Sequence, residues 1–143
     1  MISPLIAEVR IKLLSCNPPP LSFGDWADLS SAKDIEYKAG DHVVIPLGVV
    51  MQLPSGYEAH ILPRSSTFKY FGLLHASSGI IDEDYCGDND EWFFSAYATR
   101  DGSIGMGERV CQFRIFEKMP QIRYFHVEHM DKSSRGGHGS TGK

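Results

Sequence analysis

The residues Gly79 to Trp92, GIIDEDYCGDNDEW, hold six acids between Asp82 and Glu91: Asp82, Glu83, Asp84, Asp88, Asp90 and Glu91. A calcium loop is the first chemistry to test. Asp82, Asp84 and Gly87 match its first, third and sixth positions, but Cys86 stands at the fifth and Phe93 at the twelfth, where a bidentate Glu is required. The calcium reading fails. Two readings remain. Ile80 and Ile81 could deliver Asp82 from a strand end into a turn that also carries Tyr85, giving a general base beside an aromatic wall for a ring-shaped ligand. A surface hairpin with solvated acids accounts for the same residues equally well.

Several short segments could hold an anion. Pro63 to Ser66, PRSS, offers a guanidinium, two hydroxyls and backbone N–H groups within one turn. Met106 to Phe113 brings Arg109 and Gln112 to the start of another strand, where Gln112 could donate to a phosphate oxygen. Gly24 to Ala32, GDWADLSSA, places Asp28 where it suits either an Asx-type turn or a magnesium contact through water. For each segment an ordinary polar turn is the competing reading. Gly137 to Lys143 reads G-x-x-x-x-G-K, but the following Ser or Thr and the supporting helix of a P-loop are not in this sequence. The six histidines show no metal-ligand spacing apart from His126-x-x-His129, which falls in a strand-like stretch where those positions point to opposite faces.

The elements that must position these residues are strands. Val9, Ile11 and Leu13 alternate with Arg10 and Lys12, and EWFFSAYA, RVCQFRIF and IRYFHVEH are rich in aromatic and β-branched residues. Turn chemistry separates them at Pro18–Pro20, Lys38–Asp41, Pro54–Gly56, Asp101–Gly102 and Gly105–Gly107. Ser65–Gly72 reads as a turn or two of helix behind a hydroxyl cap. The pattern predicts an all-β barrel or sandwich over residues 1–132, followed by a flexible, glycine-rich tail over 133–143.

With 143 residues, 42% of them hydrophobic, the chain fits one globular domain. Its net charge of −4 gives no broad basic surface for nucleic acid, so a polyanion must be met locally. Three widely spaced cysteines suggest neither a disulfide framework nor a zinc site, and predict a reducing, cytoplasmic setting. VVIPLGVVMQL is too short and too broken by Pro46 and Gly48 to span a bilayer, and the N-terminal residues do not read as a secretion signal; no secretion and no membrane anchor are expected.

Taken in order, GDWADLSSA, PRSS, GIIDEDYCG, GERVCQF and RGGHGSTG closely resemble the five motifs of the trimeric all-β dUTP diphosphatases, or dUTPases. The resemblance runs from about Gly24 to Lys143, and the GDNDEW run looks most like the form in Gram-positive bacteria and their phages. It implies a homotrimer of jelly-roll-like barrels with sites at the subunit interfaces and a C-terminal tail closing over a neighbour's site. The implied reaction is hydrolysis of dUTP to dUMP and pyrophosphate with Mg2+.

By the same resemblance Asp82 would activate the attacking water, and Tyr85 would pack on the deoxyribose. Gly79, Ile81 and Asp90 would belong to the nucleoside pocket, with the hairpin after Gly87 reading the uracil edge. Arg64, Ser65 and Ser66 would hold the phosphate chain, Gln112 the α-phosphate, and Asp28 a water on the metal. In the tail, Arg135, Gly139, Ser140 and Thr141 would grip the outer phosphates. His138 stands where many members carry a uracil-stacking Phe, and Phe93 is the other ring that could fill that role. Two other readings of the same fold stay open, a dCTP deaminase-like enzyme and a nucleotide-gated binding protein for a regulatory partner in a phage.

Overall fold

The computed structural model describes residues 6–22 and 24–137. Among them the alternating segments form strands β1 (Arg10–Leu13), β2 (Ala27–Ser30), β3 (Ile35–Tyr37), β4 (His42–Pro46), β5 (Val49–Gln52), β6 (Tyr57–Pro63), β7 (Leu73–His75), β8 (Ile80–Ile81), β9 (Phe93–Ala98), β10 (Gly102–Ile104) and β11 (Arg109–Glu117), with one helix, α1 (Thr67–Phe71). The fold is all-β, as expected.

Every pairing between these strands is antiparallel, in sheets ordered β2-β11-β6-β8, β4-β9-β7, β1-β5 and β10-β3. Period-two alternation sends one set of side chains inward. Ala59 and Ile61 of β6, Val43 and Ile45 of β4, and Phe94, Ala96 and Ala98 of β9 meet in one core with Leu29, Leu73 and Trp92. Trp92 is fully buried, edge-on to Phe113 at 5.3 Å.

The structure departs from the sequence reading in four places. Ile122–His129 is not a strand: it runs as irregular chain with Tyr124 and Phe125 exposed, because aromatic and β-branched composition marks a surface that packs well and does not by itself supply a neighbouring edge. In β1 the strand forms, but Ile11 and Leu13 stay partly exposed, since the strand pairs only with β5. The turn expected at Asp101–Gly102 falls two residues earlier, at Thr99–Arg100, and Gly102 already opens β10. Helix α1 lies within the expected segment and ends at Gly72 with φ 65, yet Ser66, its N-cap residue, makes no side-chain capping bond.

Gly79 holds the approach to β8. Its carbonyl accepts from Ile61 N–H at 2.7 Å, its φ is 67, and a Cβ there would run into the Ile61 carbonyl and the His75 ring. That ring stacks on Phe94 at 5.0 Å with Nε2 buried and unpartnered among the described residues, and burial pulls its pKa below the ordinary range. Two stability effects are expected. Gly79→Ala lowers the unfolding free energy by about 2–4 kcal/mol, whereas Gly24→Ala, with open space around it, changes it by less than about 0.5 kcal/mol in urea denaturation. For His75, the unfolded chain takes up a proton near its unperturbed value while the native ring resists. Stability contributed by the neutral ring is therefore present above about pH 6.5 and declines as pH falls below it. Denaturation midpoints of His75→Phe should show a flatter slope across that window than those of the parent.

Candidate functional site

Most of the expected site residues lie at the two ends of β6. At its C-terminal end, β11 runs between β2 and β6, and its register sets Gln112 directly opposite Asp28 on one side and Leu62 on the other. Arg64 follows immediately after β6. Its Nε forms an ion pair with Asp28 Oδ1 at 3.2 Å, while Arg109 Nη1 donates to Asp28 Oδ2 at 3.1 Å. The Arg64 guanidinium also reaches the Arg109 carbonyl at 3.4 Å, and Gln112 Nε2 donates to the Pro63 carbonyl at 3.1 Å. A cleft of about 270 Å³ opens between Gly24, Trp26, Asp28, Arg64, Ser65 and Gln112. Asp28 sits between two guanidiniums and Asp25 lines the same cleft, so two acids stand against two bases there. The donors on this cleft that can meet a phosphate are the Arg64 guanidinium, the Ser65 hydroxyl and the Gln112 amide.

Arg109 was named beside Gln112 at the start of a strand but given no role of its own, and simple alternation would put the two on opposite faces. The ladder shows why they share one. The register between β11 and β2 shifts between Arg109 and Cys111, so Val110 and Cys111 are both buried in succession and Arg109 turns toward Asp28. The adjacent apolar pair Val110-Cys111 is the local trace of the bulge, but Ile115-Phe116 in the same strand forms a similar pair within a regular ladder, so the pair alone does not reveal it.

At the other end of β6, Ala59 pairs with Ile81, which delivers Asp82 into a turn closed by Tyr85 N–H on the Asp82 carbonyl at 3.1 Å. Asp82 is exposed and lines an open cleft of about 410 Å³ with Glu58, Glu83, Asp84, Lys118 and Met119. Glu83 accepts from Gly56 N–H at 2.8 Å and from Lys118 at 3.2 Å, and these two, in that order, hold its carboxyl below the usual range. Of the neighbouring acids, Glu83 is therefore a brace for the turn.

The hairpin beyond Asp82 is tied down at several points. Tyr85 donates its hydroxyl to the Glu91 carbonyl at 2.7 Å, and burial, reinforced by the charges of Asp90 and Glu91, pushes the phenol pKa up and keeps it a donor. The Asp90 carboxylate closes a local turn on Gly87 N–H at 2.8 Å, and Glu91 Oε2 accepts from Gly48 N–H at 3.0 Å in the β4–β5 connection. Asp90 thus spends an oxygen on the hairpin's own backbone.

Phe93 is partly exposed at the start of β9. Arg135 is exposed in the irregular stretch after β11 and joins neither cluster, and His138, Gly139, Ser140 and Thr141 lie outside the described residues. Among the described residues no group of three or more His, Cys, Asp or Glu could hold a metal ion. Cys16, Cys86 and Cys111 are free, and among the described residues no helix is long and apolar enough to cross a membrane.

The dUTPase family model matches residues 27–142. The chain is 55% identical over 120 residues to the SPbeta prophage-derived deoxyuridine 5'-triphosphate nucleotidohydrolase YosS of Bacillus subtilis, covering 83% of this chain and 84% of that one. The fold matches a mutant dUTPase of Staphylococcus bacteriophage 80alpha with dUpNHpp at a TM-score of 0.76 and 20% identity, over 94% of this chain and 98% of that one. It also matches a mutant dUTPase from phage phi11 of S. aureus, described with a structural Mg(II) ion, at a TM-score of 0.72 and 17% identity, over 87% and 99%.

The Asp28 knot gives a prediction independent of any ligand. Asp28→Asn removes the anion from between two guanidiniums and is expected to lower stability by about 1–3 kcal/mol in urea denaturation. A change below about 0.5 kcal/mol would mean that Arg64 and Arg109 keep their places without it.

Proposed function

This chain belongs to the dUTPase family, and from that premise we propose that it hydrolyses dUTP to dUMP and pyrophosphate in a homotrimer whose sites are built from more than one chain. The observation that carries the second half is the length of β6. Asp82 follows the residue paired with Ala59, while Gln112 is paired with Leu62 and Arg64 lies beyond Pro63. Strand rise alone separates the level of Asp82, opposite Glu58, from that of Gln112 by about 13 Å and from Arg64 by about 20 Å. In-line attack needs its reacting atoms within about 3–3.5 Å. A base and an α-phosphate grip that far apart on one chain act together only when each comes from a different copy.

In this reading Asp82 accepts the proton of the water that attacks the α-phosphorus, and its exposure leaves it open to that water. Gln112 donates to an α-phosphate oxygen, exchanging its present bond to the Pro63 carbonyl for the ligand. Arg64, Ser65 and Ser66 hold the phosphate chain. Tyr85, fixed through its hydroxyl, presents its ring to the deoxyribose, and Gly79, Ile81 and the Gly87 hairpin shape the uracil side, with Asp90 acting through the hairpin backbone. Residues 133–143 form the phosphate-binding tail appended to the barrel, with Arg135, Ser140 and Thr141 reaching the outer phosphates and His138 or Phe93 covering the base.

Magnesium fits this donor set as a partner of the substrate. No all-protein cage is present among the described residues, and Asp28, held by two guanidiniums, keeps lone pairs to orient a water rather than to bind an ion directly. When bound, the ion neutralises charge on the triphosphate.

Asp82→Asn is expected to keep nucleotide binding and slow pyrophosphate release from dUTP by roughly 10²- to 10⁴-fold. Assays with dUTP, dCTP, dTTP and UTP, following both pyrophosphate and ammonia, separate hydrolysis from deamination. The between-chain geometry has its own test. Chains carrying Asp82→Asn mixed with chains carrying Gln112→Ala should regain activity that neither has alone, and verified mixed trimers without recovery would place both groups in one chain's site.

A further inference from the structure

Resting on the phosphate-binding role given to the Arg64–Ser66 turn and Gln112, we propose that the buried hydroxyl of Thr67 is the positioning group that joins this turn to strand β11 and presets both for the phosphate chain. Thr67 opens α1 and is 1% exposed. Its Oγ1 accepts from Arg64 N–H at 2.8 Å and donates to the Val110 carbonyl at 2.9 Å. Its own N–H donates to the Arg64 carbonyl at 3.0 Å. One residue therefore closes the turn from both directions and fastens it to a strand 43 residues away.

The two ends of this link are the places where the backbone departs from regular structure. Val110 lies in the register shift between Arg109 and Cys111 and is fully buried, so its carbonyl needs a donor that the irregular ladder does not guarantee. The Thr67 hydroxyl supplies it. That same bulge puts Arg109 and Gln112 on the face of Asp28. At the other end, a serine in the N-cap position ordinarily spends its side-chain oxygen on the first turn of the helix. Ser66 does not. Because Thr67 holds the turn from inside, the Ser66 hydroxyl is not consumed by capping and Ser65 remains exposed. Thr67 touches no ligand in this scheme; it fixes the spacing between groups that do.

The pairing of Thr67→Val with Thr67→Ser separates this from a packing role. Valine keeps the shape and removes the hydroxyl, whereas serine keeps the hydroxyl and removes the methyl. Thr67→Val should weaken binding of the non-hydrolysable analogue dUpNHpp, or lower kcat/KM for dUTP, by roughly tenfold to a hundredfold, the scale expected when gripping groups are misplaced by about 1 Å. Binding of deoxyuridine, which has no phosphate, should change less than twofold by NMR titration, and Thr67→Ser should behave like the parent. Should Thr67→Val not fold, Thr67→Cys, with a weaker donor and acceptor, should show a partial loss of the same kind. A folded variant without the hydroxyl that binds dUpNHpp as the parent does overturns the proposal, as does an equal loss for deoxyuridine. Absence of dUTP hydrolysis by the unaltered chain would instead overturn the functional reading beneath it.

Discussion

The antiparallel ladder of β6 is the constraint on which the rest of this structure depends. It pairs with β11 along one edge and with β8 along the other, so its seven residues set the distance between the Asp82 turn and the Arg64 turn. Sliding β6 by one residue against its partners would exchange the inward set Ala59 and Ile61 for the outward set His60 and Leu62, exposing core residues and burying the His60 ring. The hydrophobic core therefore fixes the spacing of the polar clusters. The site needs no scaffold of its own, because the register that buries Ile61, Cys111 and Leu29 also aligns Leu62, Gln112 and Asp28.

Around that ladder, much of the charge serves backbone geometry. Glu83 binds the Gly56 and Lys118 end of the sheet to the Asp82 turn, Asp90 closes the Gly87 turn, and Glu91 reaches the β4–β5 connection. Each satisfies an N–H group that a tight turn leaves without a ladder partner. Asp82 and Asp84 are both exposed and line one open cleft; Asp82 is set apart by its place directly after β8, where its backbone carbonyl accepts from Tyr85 N–H.

The sequence showed what local chemistry encodes. The strand composition of EWFFSAYA and RVCQFRIF, the helix before Gly72, and the strand-to-turn delivery of Asp82 were all legible, as was the order of the motifs. Long-range register was not. Nothing local to Asp28 announces that it will sit between Arg64 and Arg109, since those contacts come from pairings 36 and 81 residues away. The bulge at Val110 and the use of Thr67 in place of Ser66 depend on which carbonyl the fold leaves without a ladder partner. Ile122–His129 misled for the opposite reason, carrying strand composition with no edge to join.

That misreading has a physical content of its own. Tyr124 and Phe125 are 90% and 84% exposed, Met130 is 81% exposed, and Ile122 and Val127 are about half as exposed, on irregular chain beyond the Lys118 N–H bond to the Gly56 carbonyl. Burying a large apolar side chain is worth about 1.5–3 kcal/mol, and ordering each residue of chain costs about 1–2 kcal/mol. A stretch that leaves Tyr124, Phe125 and Met130 almost fully exposed gains too little burial on its own chain to offset its ordering. The same residues laid on another copy would gain both terms that are missing, apolar contact and a partner for the backbone. In the proposed trimer the segment after β11 thus has a reason to leave its own barrel.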